Sequence, residues 1–521
     1  MNRIQSIVAL LFVTVSLDAQ TEFDVLRFLQ PEIKGSARYT AMAGAFGALG
    51  GDPSAIKDNP AGLGIFRSSE ISAGFYSLSQ SATTNWATLN QDISMDKFGF
   101  NNLSFVLSMP TTRSTQNKTG LIRSNWSFGY NRVKDFSRDI RINGGNESVS
   151  SITDYLGYFT GSISGKDLIK TGSYDPYNNV SVPWISVLSA SSGLINEFVD
   201  SETGKTLYWS SLLNQGEKVS PFYKLSETGF HDEYALSWSG NIKNRLFIGA
   251  TVNLHAISYR ADSEYSEGFG QGGNMSLYNV FKSSSNGVNV NLGAIVVPTD
   301  FLRLGASVKS PMIYTVNDVH YADLKYYYDA SDNGTLYTPT GDNSYKLRTP
   351  AVYSISGSLI MGERGVIGVE YMMSDLTGAR LMNSNNDMAP YRYENDSIRS
   401  LFNSQQTLKI GAEVKLSNQL SIRGGYAITK PASSSRLAKE LIPNTIRTDM
   451  EYFVHTGTNY LTGGIGYRDT NWYVDLAFMN MITNENFYPY NSNKLSDNLA
   501  VRPATVKTDK TSLVATIGFK F

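Results

Sequence analysis

The chain ends Thr511-Ser512-Leu513-Val514-Ala515-Thr516-Ile517-Gly518-Phe519-Lys520-Phe521. Successive side chains of a strand point to opposite faces, so Leu513, Ala515, Ile517, Phe519 and Phe521 share one face and Ser512, Thr516 and Lys520 the other. The first face suits lipid and the second a wet lumen. The stretch reads as the closing, lipid-facing strand of a transmembrane β-barrel. Upstream, Val288, Val290, Leu292, Ala294 and Val296 stand opposite Asn289, Asn291 and Gly293 in the same way. Trp472, Val474, Leu476 and Phe478 stand opposite Asp475.

Working back from the end, alternating segments recur from Glu70 onward, separated by turns whose lengths themselves alternate. Short turns fall at Lys243-Asn244, Pro298-Thr299, Gly362-Glu363, Ser417-Asn418 and Asp469-Thr470. Between them lie long polar connections, the largest from Arg132 to Gly229, with others at Ala261 to Ser284, Val316 to Lys346, Asp375 to Asn403, Lys430 to Gly457 and Thr483 to Asp509. Outer-membrane barrels sort their loops this way, tight inside and long outside. The pattern predicts an all-β fold, an antiparallel transmembrane barrel of about fourteen strands over residues 69–521. Tyr76, Trp126, Trp238, Tyr314 and Trp472, near strand ends, are expected at the two membrane interfaces.

The 521 residues carry no cysteine, which excludes disulfides and thiolate sites, and a formal net charge of −1, which gives nucleic acid no electrostatic purchase. With 45 Gly, 31 Tyr and 25 Phe, the composition matches strands half in lipid and half in water. At the amino end, Arg3 precedes an apolar run from Ile7 to Leu17, with Ala19 before Gln20. This reads as a secretory signal peptide over residues 1–19. No later run is long and apolar enough for a membrane helix.

Residues 20–68 do not read as strand. Asp24 to Leu29 is a short amphipathic stretch, and Ala41 to Leu49 is a small-residue helix candidate ended by Gly50 and Gly51. Next comes Gly51-Asp52-Pro53-Ser54-Ala55-Ile56-Lys57-Asp58-Asn59-Pro60-Ala61-Gly62-Leu63, rich in turn residues. Such a segment could form a plug inside the barrel or an appendage beneath it.

These residues resemble the FadL/TodX-type outer-membrane transporters of long-chain fatty acids and aromatic hydrocarbons. The likeness runs from Gly35-Ser36-Ala37-Arg38 through Ala43-Gly44-Ala45-Phe46 to the hatch motif Asn59, Pro60, Ala61, Gly62 and Leu63. Leu304-Gly305-Ala306-Ser307-Val308-Lys309-Ser310-Pro311 resembles a strand of the family, with Val308 where an aromatic is more usual. Leu461 to Tyr467 and Trp472 to Ala477 resemble its penultimate hairpin. The resemblance implies a barrel gated by an amino-terminal hatch, taking up hydrophobic small molecules by passive diffusion. It also implies an inward kink in the third strand, for which Gly129 is the candidate residue.

The longest connection carries apolar patches that a solvated loop has no use for. Tyr158, Phe159, Trp184, Ile185, Leu188, Phe198 and Trp209 either pack as a lid or form a capture groove for a ligand, and the resemblance favours the groove. His231, His255, His320 and His455 are too scattered for a metal motif. Asp329, Ser331, Asn333 and Gly334 open like a calcium loop, but Thr340 stands where its last ligand would be, so they read as a polar turn. Gly268, Gly270 and Gly273 lack the strand and helix of a dinucleotide site. No Gly-x-Ser-x-Gly motif is present, and an enzyme is not expected. The expected partners are outer-membrane lipid, a hydrophobic ligand, the barrel-insertion machinery and other outer-membrane proteins, with no cofactor or metal. The alternative functions are a structural or interaction subunit of an outer-membrane assembly, or a surface receptor, for example of haem.

Overall fold

The computed structural model describes residues 22–30, 32–87, 89–111, 120–146, 148–440, 446–496 and 499–521. The leader expected over residues 1–19 lies outside the described residues. In chain order the strands are β1 Glu70–Trp86, β2 Leu89–Pro110, β3 Leu121–Asp135, β4 Arg138–Asn143, β5 Ile195–Val199, β6 Thr206–Ser211 and β7 Val219–Ile242. There follow β8 Leu246–Phe269, β9 Asn274–Thr299, β10 Leu302–Lys309, β11 Ile313–Tyr327, β12 Asn333–Tyr337, β13 Gly341–Arg348 and β14 Val352–Met361. The series ends with β15 Gly365–Asp375, β16 Arg380–Met382, β17 Ser404–Lys415, β18 Leu420–Thr429, β19 Tyr452–Arg468, β20 Trp472–Tyr488 and β21 Ala504–Lys520.

All but β5 and β6 belong to one antiparallel sheet, which closes where β21 pairs with β1 from Glu70↔Lys520 to Asn85↔Thr505. Fourteen strands make the circuit: β1, β2, β3, β7, β8, β9, β10, β14, β15, β17, β18, β19, β20 and β21. Of the remaining five, β11, β12, β13 and β16 extend the wall at the end that carries the long connections, and β4 continues from β3. Closure leaves no edge along most of the circuit, which a wall standing in lipid requires.

The barrel is apolar outside and polar inside. Leu513 and Phe519 are 59% and 51% exposed, whereas Ser512 and Thr516 between them are buried. Val288, Val290 and Leu292 are exposed while Asn289 and Asn291 are buried, and Asp475 is buried beside exposed Leu476. Trp126 and Trp472 stand outside as expected. Tyr76 and Tyr314 do not: both are buried and face the lumen, where the Tyr76 hydroxyl donates to Asp135 and the Tyr314 hydroxyl lies 3.4 Å from His231 Nε2.

The expected strands are present but several run much further toward the long-loop end. β8 and β9 extend to Phe269 and from Asn274, leaving a short turn where a connection from Ala261 to Ser284 was expected. Beyond the lipid the outward face turns polar, so the apolar stripe that betrays a strand stops, while the backbone ladder continues.

Inside the barrel lies the amino-terminal segment. Helix α1, Glu22–Leu29, packs with Val25, Leu26 and Phe28 against Phe281, Tyr314 and Tyr345 on the inner wall. Helix α2, Ala37–Ala41, is capped by Ser36, whose hydroxyl accepts from Tyr39 N. The helix expected from Ala41 to Leu49 is absent. Ala43 and Gly44 take φ values of 50° and 72°, which a right-handed helix cannot accommodate, and the chain follows the curved wall instead.

Candidate functional site

Pro53–Lys57 and Pro60–Ile65 each form a 3-10 turn, opened by Asp52 and Asn59, whose side chains accept from Ser54 N and Ala61 N. Proline at the first helical position suits both, since its missing N–H would have had no partner there. Asn59 does more than cap. Its Nδ2 donates to Gly47 O at 2.7 Å and to Ala294 O at 3.3 Å, tying the hatch to itself and to β9. Pro60 and Asn59 lie on a window in the wall made by Gly249 and Gly293, which face each other across β8 and β9. A Cβ on Gly293 would stand 2.0 Å from Asn59 Oδ1, and one on Gly249 would stand 2.4 Å from the Pro60 carbonyl carbon. Asn59, Pro60, Ala61, Gly62 and Leu63 are all buried.

On the opposite wall the hatch is held by buried ion pairs. Lys409 Nζ lies 3.0 Å from both Asp58 and Glu370, and Glu370 Oε2 accepts from Gly47 N at 2.7 Å. Arg38 binds Glu413 at 2.7 Å, and Arg423 bridges Glu413 and Asp475 at 2.6 Å each. Burial pushes the Asp58 carboxyl up, but Lys409, Lys309 and Lys57 outweigh it and hold it well below the usual carboxylate range. A group so depressed contributes stability above its unfolded pKa and loses it only as pH falls through the lower folded value. Hatch seating is therefore expected to be unchanged between pH 7 and pH 5, as read by protease protection of residues 32–66.

Above the hatch is a cavity of about 280 Å³. Phe23, Leu26, Arg27 and Glu32 form its floor, Tyr155 and Trp184 reach it from the long connection, and Arg447 to Phe453 line one side. Its charges are largely paired: Arg138 with Glu227 and Glu485, and, tying the amino-terminal segment in place, Lys510 with Glu32 and Arg447 with Asp24, besides Asp449. Burial and neighbouring Asp449 push the Glu451 carboxyl up.

One side of the cavity is formed by a strand that leaves the wall. β3 pairs with β2 only from Arg123↔Pro110 to Asn131↔Asn102, and its register with β7 shifts between Arg132 and Lys134. From there β3 and β4 turn inward, so that among the described residues β2 from Leu89 to Asn101 pairs with β1 alone. Asp135 clasps the bend: it accepts from Tyr76 of β1, from Lys97 Nζ of β2 at 3.0 Å and from Ser137 N at 3.0 Å. Asp135→Asn is expected to weaken the clasp by about 1.5–3 kcal/mol, the range for a hydrogen-bonded charge. Hydrogen exchange should report this as faster exchange confined to residues 132–143.

Gly129 lies in the regular ladder opposite Ser104 and Ala235, two residues before pairing with β2 ends. The apolar residues of the long connection divide. Ile185, Leu188 and Trp209 are buried in one cluster with Tyr155, Leu156 and Leu194, and Phe159 packs against it. Trp209 Nε1 also donates to Ile163 O at 2.8 Å. Trp184 is buried and lines the cavity, with its Nε1 on Tyr177 O. Tyr158 and Phe198 are exposed. These residues thus form a folded lid, over helices Ile152–Thr160 and Trp184–Ser191 and the hairpin of β5 and β6, from which Tyr155 and Trp184 reach the cavity. Trp209→Ser is expected to cost the lid about 3–5 kcal/mol through lost packing. Limited proteolysis between residues 152 and 211 would measure it.

Asp329 Oδ1 accepts from Ser331 N and Asp332 N, which makes this stretch the expected polar turn. His231 and His255, far apart in sequence, meet in the lumen with Nε2 and Nδ1 2.8 Å apart. The clasp at Asp135 and the lysine latch at Lys409 were not foreseen.

No family model matches this sequence, and no curated protein matches it either. Solved structures do. The P. putida toluene transporter TodX superposes with a TM-score of 0.51 at 13% identity, covering 94% of this chain and 99% of its own. A Pseudomonas aeruginosa FadL homologue gives 0.51 at 12%, with the same coverage of both chains. The chain shares their fold. Coverage of 94% leaves little of this chain outside the shared fold.

Proposed function

We propose that this protein is an outer-membrane channel for passive uptake of hydrophobic small molecules, of the fatty-acid or hydrocarbon class. The observation that carries the reading is the enclosed cavity, set between lid, hatch and an inward-bent strand, beside a stretch of wall where β2 lacks its β3 partner. An apolar solute crosses neither a lipopolysaccharide layer nor a water-filled pore easily, so a shielded cavity with a sideways way out solves the problem it faces. The solute enters under the lid, displaces α1 at the cavity floor, and leaves between β2 and β3 into the lipid. In this reading α1, which forms the cavity floor, is the moving gate of the hatch, while the body from Arg38 to Leu63 stays latched. Transport asks only for binding and release.

The test is photolabelling of the protein in membranes with an azide-bearing palmitate. Labels are expected on Phe136, Tyr155 or Trp184. Labels confined to the lipid face, on residues such as Val290 or Phe519, would overturn the reading.

One observation favours an interaction subunit instead: the tip of the β5 and β6 hairpin exposes Phe198, Val199, Leu207 and Tyr208 together. A stoichiometric partner lost on mutating Phe198 and Tyr208 to Ser would support that second reading.

A further inference from the structure

One end of the cavity carries polar groups for which a hydrocarbon offers no partner. Asn279 of β9 and His320 of β11 are 7% and 6% exposed, and both line it. Among the described residues, Asn279 Nδ2 and both ring nitrogens of His320 have no hydrogen-bond partner. Leaving such groups unpaired in a buried site costs about 1–3 kcal/mol each, so a ligand that pairs them is favoured by that amount over one that does not.

Their placement is specific. In the ladder of β9 and β11, Asn279 stands opposite Ala322 and Phe281 opposite His320, which sets Asn279 and His320 on a diagonal of the same inner face. The Thr448 hydroxyl occupies Asn279 Oδ1 and so orients the amide, leaving its N–H groups for the cavity. The ring of Trp184 lies 5.5 Å from that of His320, and Phe281 lies alongside under the Arg447 guanidinium at 4.1 Å. A carboxamide donor, an imidazole that at neutral pH offers one donor and one acceptor, and two aromatic walls thus converge at one end.

The charges argue against an ionic ligand. Besides the paired groups, the lining holds Lys134, whose Nζ donates to Arg27 O, and Glu451, which accepts from Ser263. These two are of opposite sign, so the cavity offers no net attraction to a carboxylate or an ammonium.

We propose that the end of the cavity formed by Asn279, His320 and Trp184 binds the polar end of a small uncharged aromatic molecule bearing a hydroxyl or carboxamide group. This rests on the uptake reading and narrows its ligand class. Asn279 donates to the substituent's oxygen, His320 exchanges a hydrogen bond with its O–H or N–H, and the ring lies along Trp184.

The test is equilibrium binding of 4-hydroxybenzamide, toluene and laurate to the full chain in nanodiscs. The amide is expected to bind at least tenfold more tightly than toluene. Asn279→Leu, which keeps the volume, should weaken the amide about tenfold, the worth of one hydrogen bond, and leave toluene unchanged. His320→Phe should do the same, and serves if the first variant fails to assemble. Toluene or laurate binding without amide binding, or amide binding that neither variant alters, overturns this inference and leaves uptake standing. Absence of binding by all three overturns both.

Discussion

A Gly293→Ala protein should assemble as a barrel but fail to seat its hatch. The added Cβ would lie 2.0 Å from Asn59 Oδ1 and 2.9 Å from Pro60 Cδ, distances that no rotamer change at position 293 relieves. The hatch must lift, and in lifting it loses the bond of Asn59 to Ala294 O and those that Asn291 and Ser307 donate to Lys57 O and Asp58 O. At about 1 kcal/mol each, and with the apolar contacts of Ala61 and Phe247 lost as well, the turn around Pro60 should come free. Planar-bilayer conductance is expected to rise about tenfold or more, with residues 57–66 becoming open to protease. Gly424→Ala is the control, since its Cβ would meet only Thr462 O at 3.9 Å, and it should change neither reading.

Lys409→Met should release the other side of the hatch and give it a pH dependence that the native protein lacks. Lys409 is the shared cation of two buried carboxylates, and removing one partner of a buried pair costs about 3–5 kcal/mol because the other charge is left uncompensated. With Lys409 gone and only the weaker pull of Lys309, at 3.8 Å, and Lys57 left, burial should raise the Asp58 carboxyl instead of seeing it depressed. The sign of the linkage then reverses: a raised carboxyl favours the folded arrangement as pH falls. Protease protection of the hatch should be lost at pH 7 and partly regained at pH 5. Protection that is full at both values would mean that Lys409 does not hold the hatch.

The barrel was legible because lipid imposes a pattern. Val288 to Val296 alternates with polar partners since each face meets a different solvent, and the tight turns were visible as residues that tolerate unusual backbone, as Lys243 and Asn244 do with φ of 55° and 56°. Where lipid stops, so does the signal, which is why the ends of β8 and β9 and the wall extension by β11 and β13 were hidden. Tyr76 and Tyr314 were misplaced for a related reason. An aromatic near a strand end suits an interface, and only the register shows that these two face inward.

The site was harder to read because it is made of meetings. The hatch motif stood out as Asn59 to Leu63, but its docking window is two glycines on different strands. The turn at Lys243-Asn244 already implies that residues near 231 and 255 approach across one hairpin, so the histidine pair could have been found by counting back from it. The Asp135 clasp depends on β1, β2 and the bend together, and no spacing in the chain announces it. Ile185, Leu188 and Trp209 of the capture set pack in the lid core, and an apolar side chain in a long loop looks the same whether it waits for a ligand or for its neighbours.

Uptake by intact cells tests the central claim most directly. The chain is placed in a bacterium deleted for its own hydrophobic-uptake barrel, and entry of labelled toluene and palmitate is followed across an intact lipopolysaccharide layer. The account predicts entry several-fold faster than in cells with the empty vector. Entry no faster than theirs, with surface labelling near Tyr208 proving the barrel in place, would contradict it.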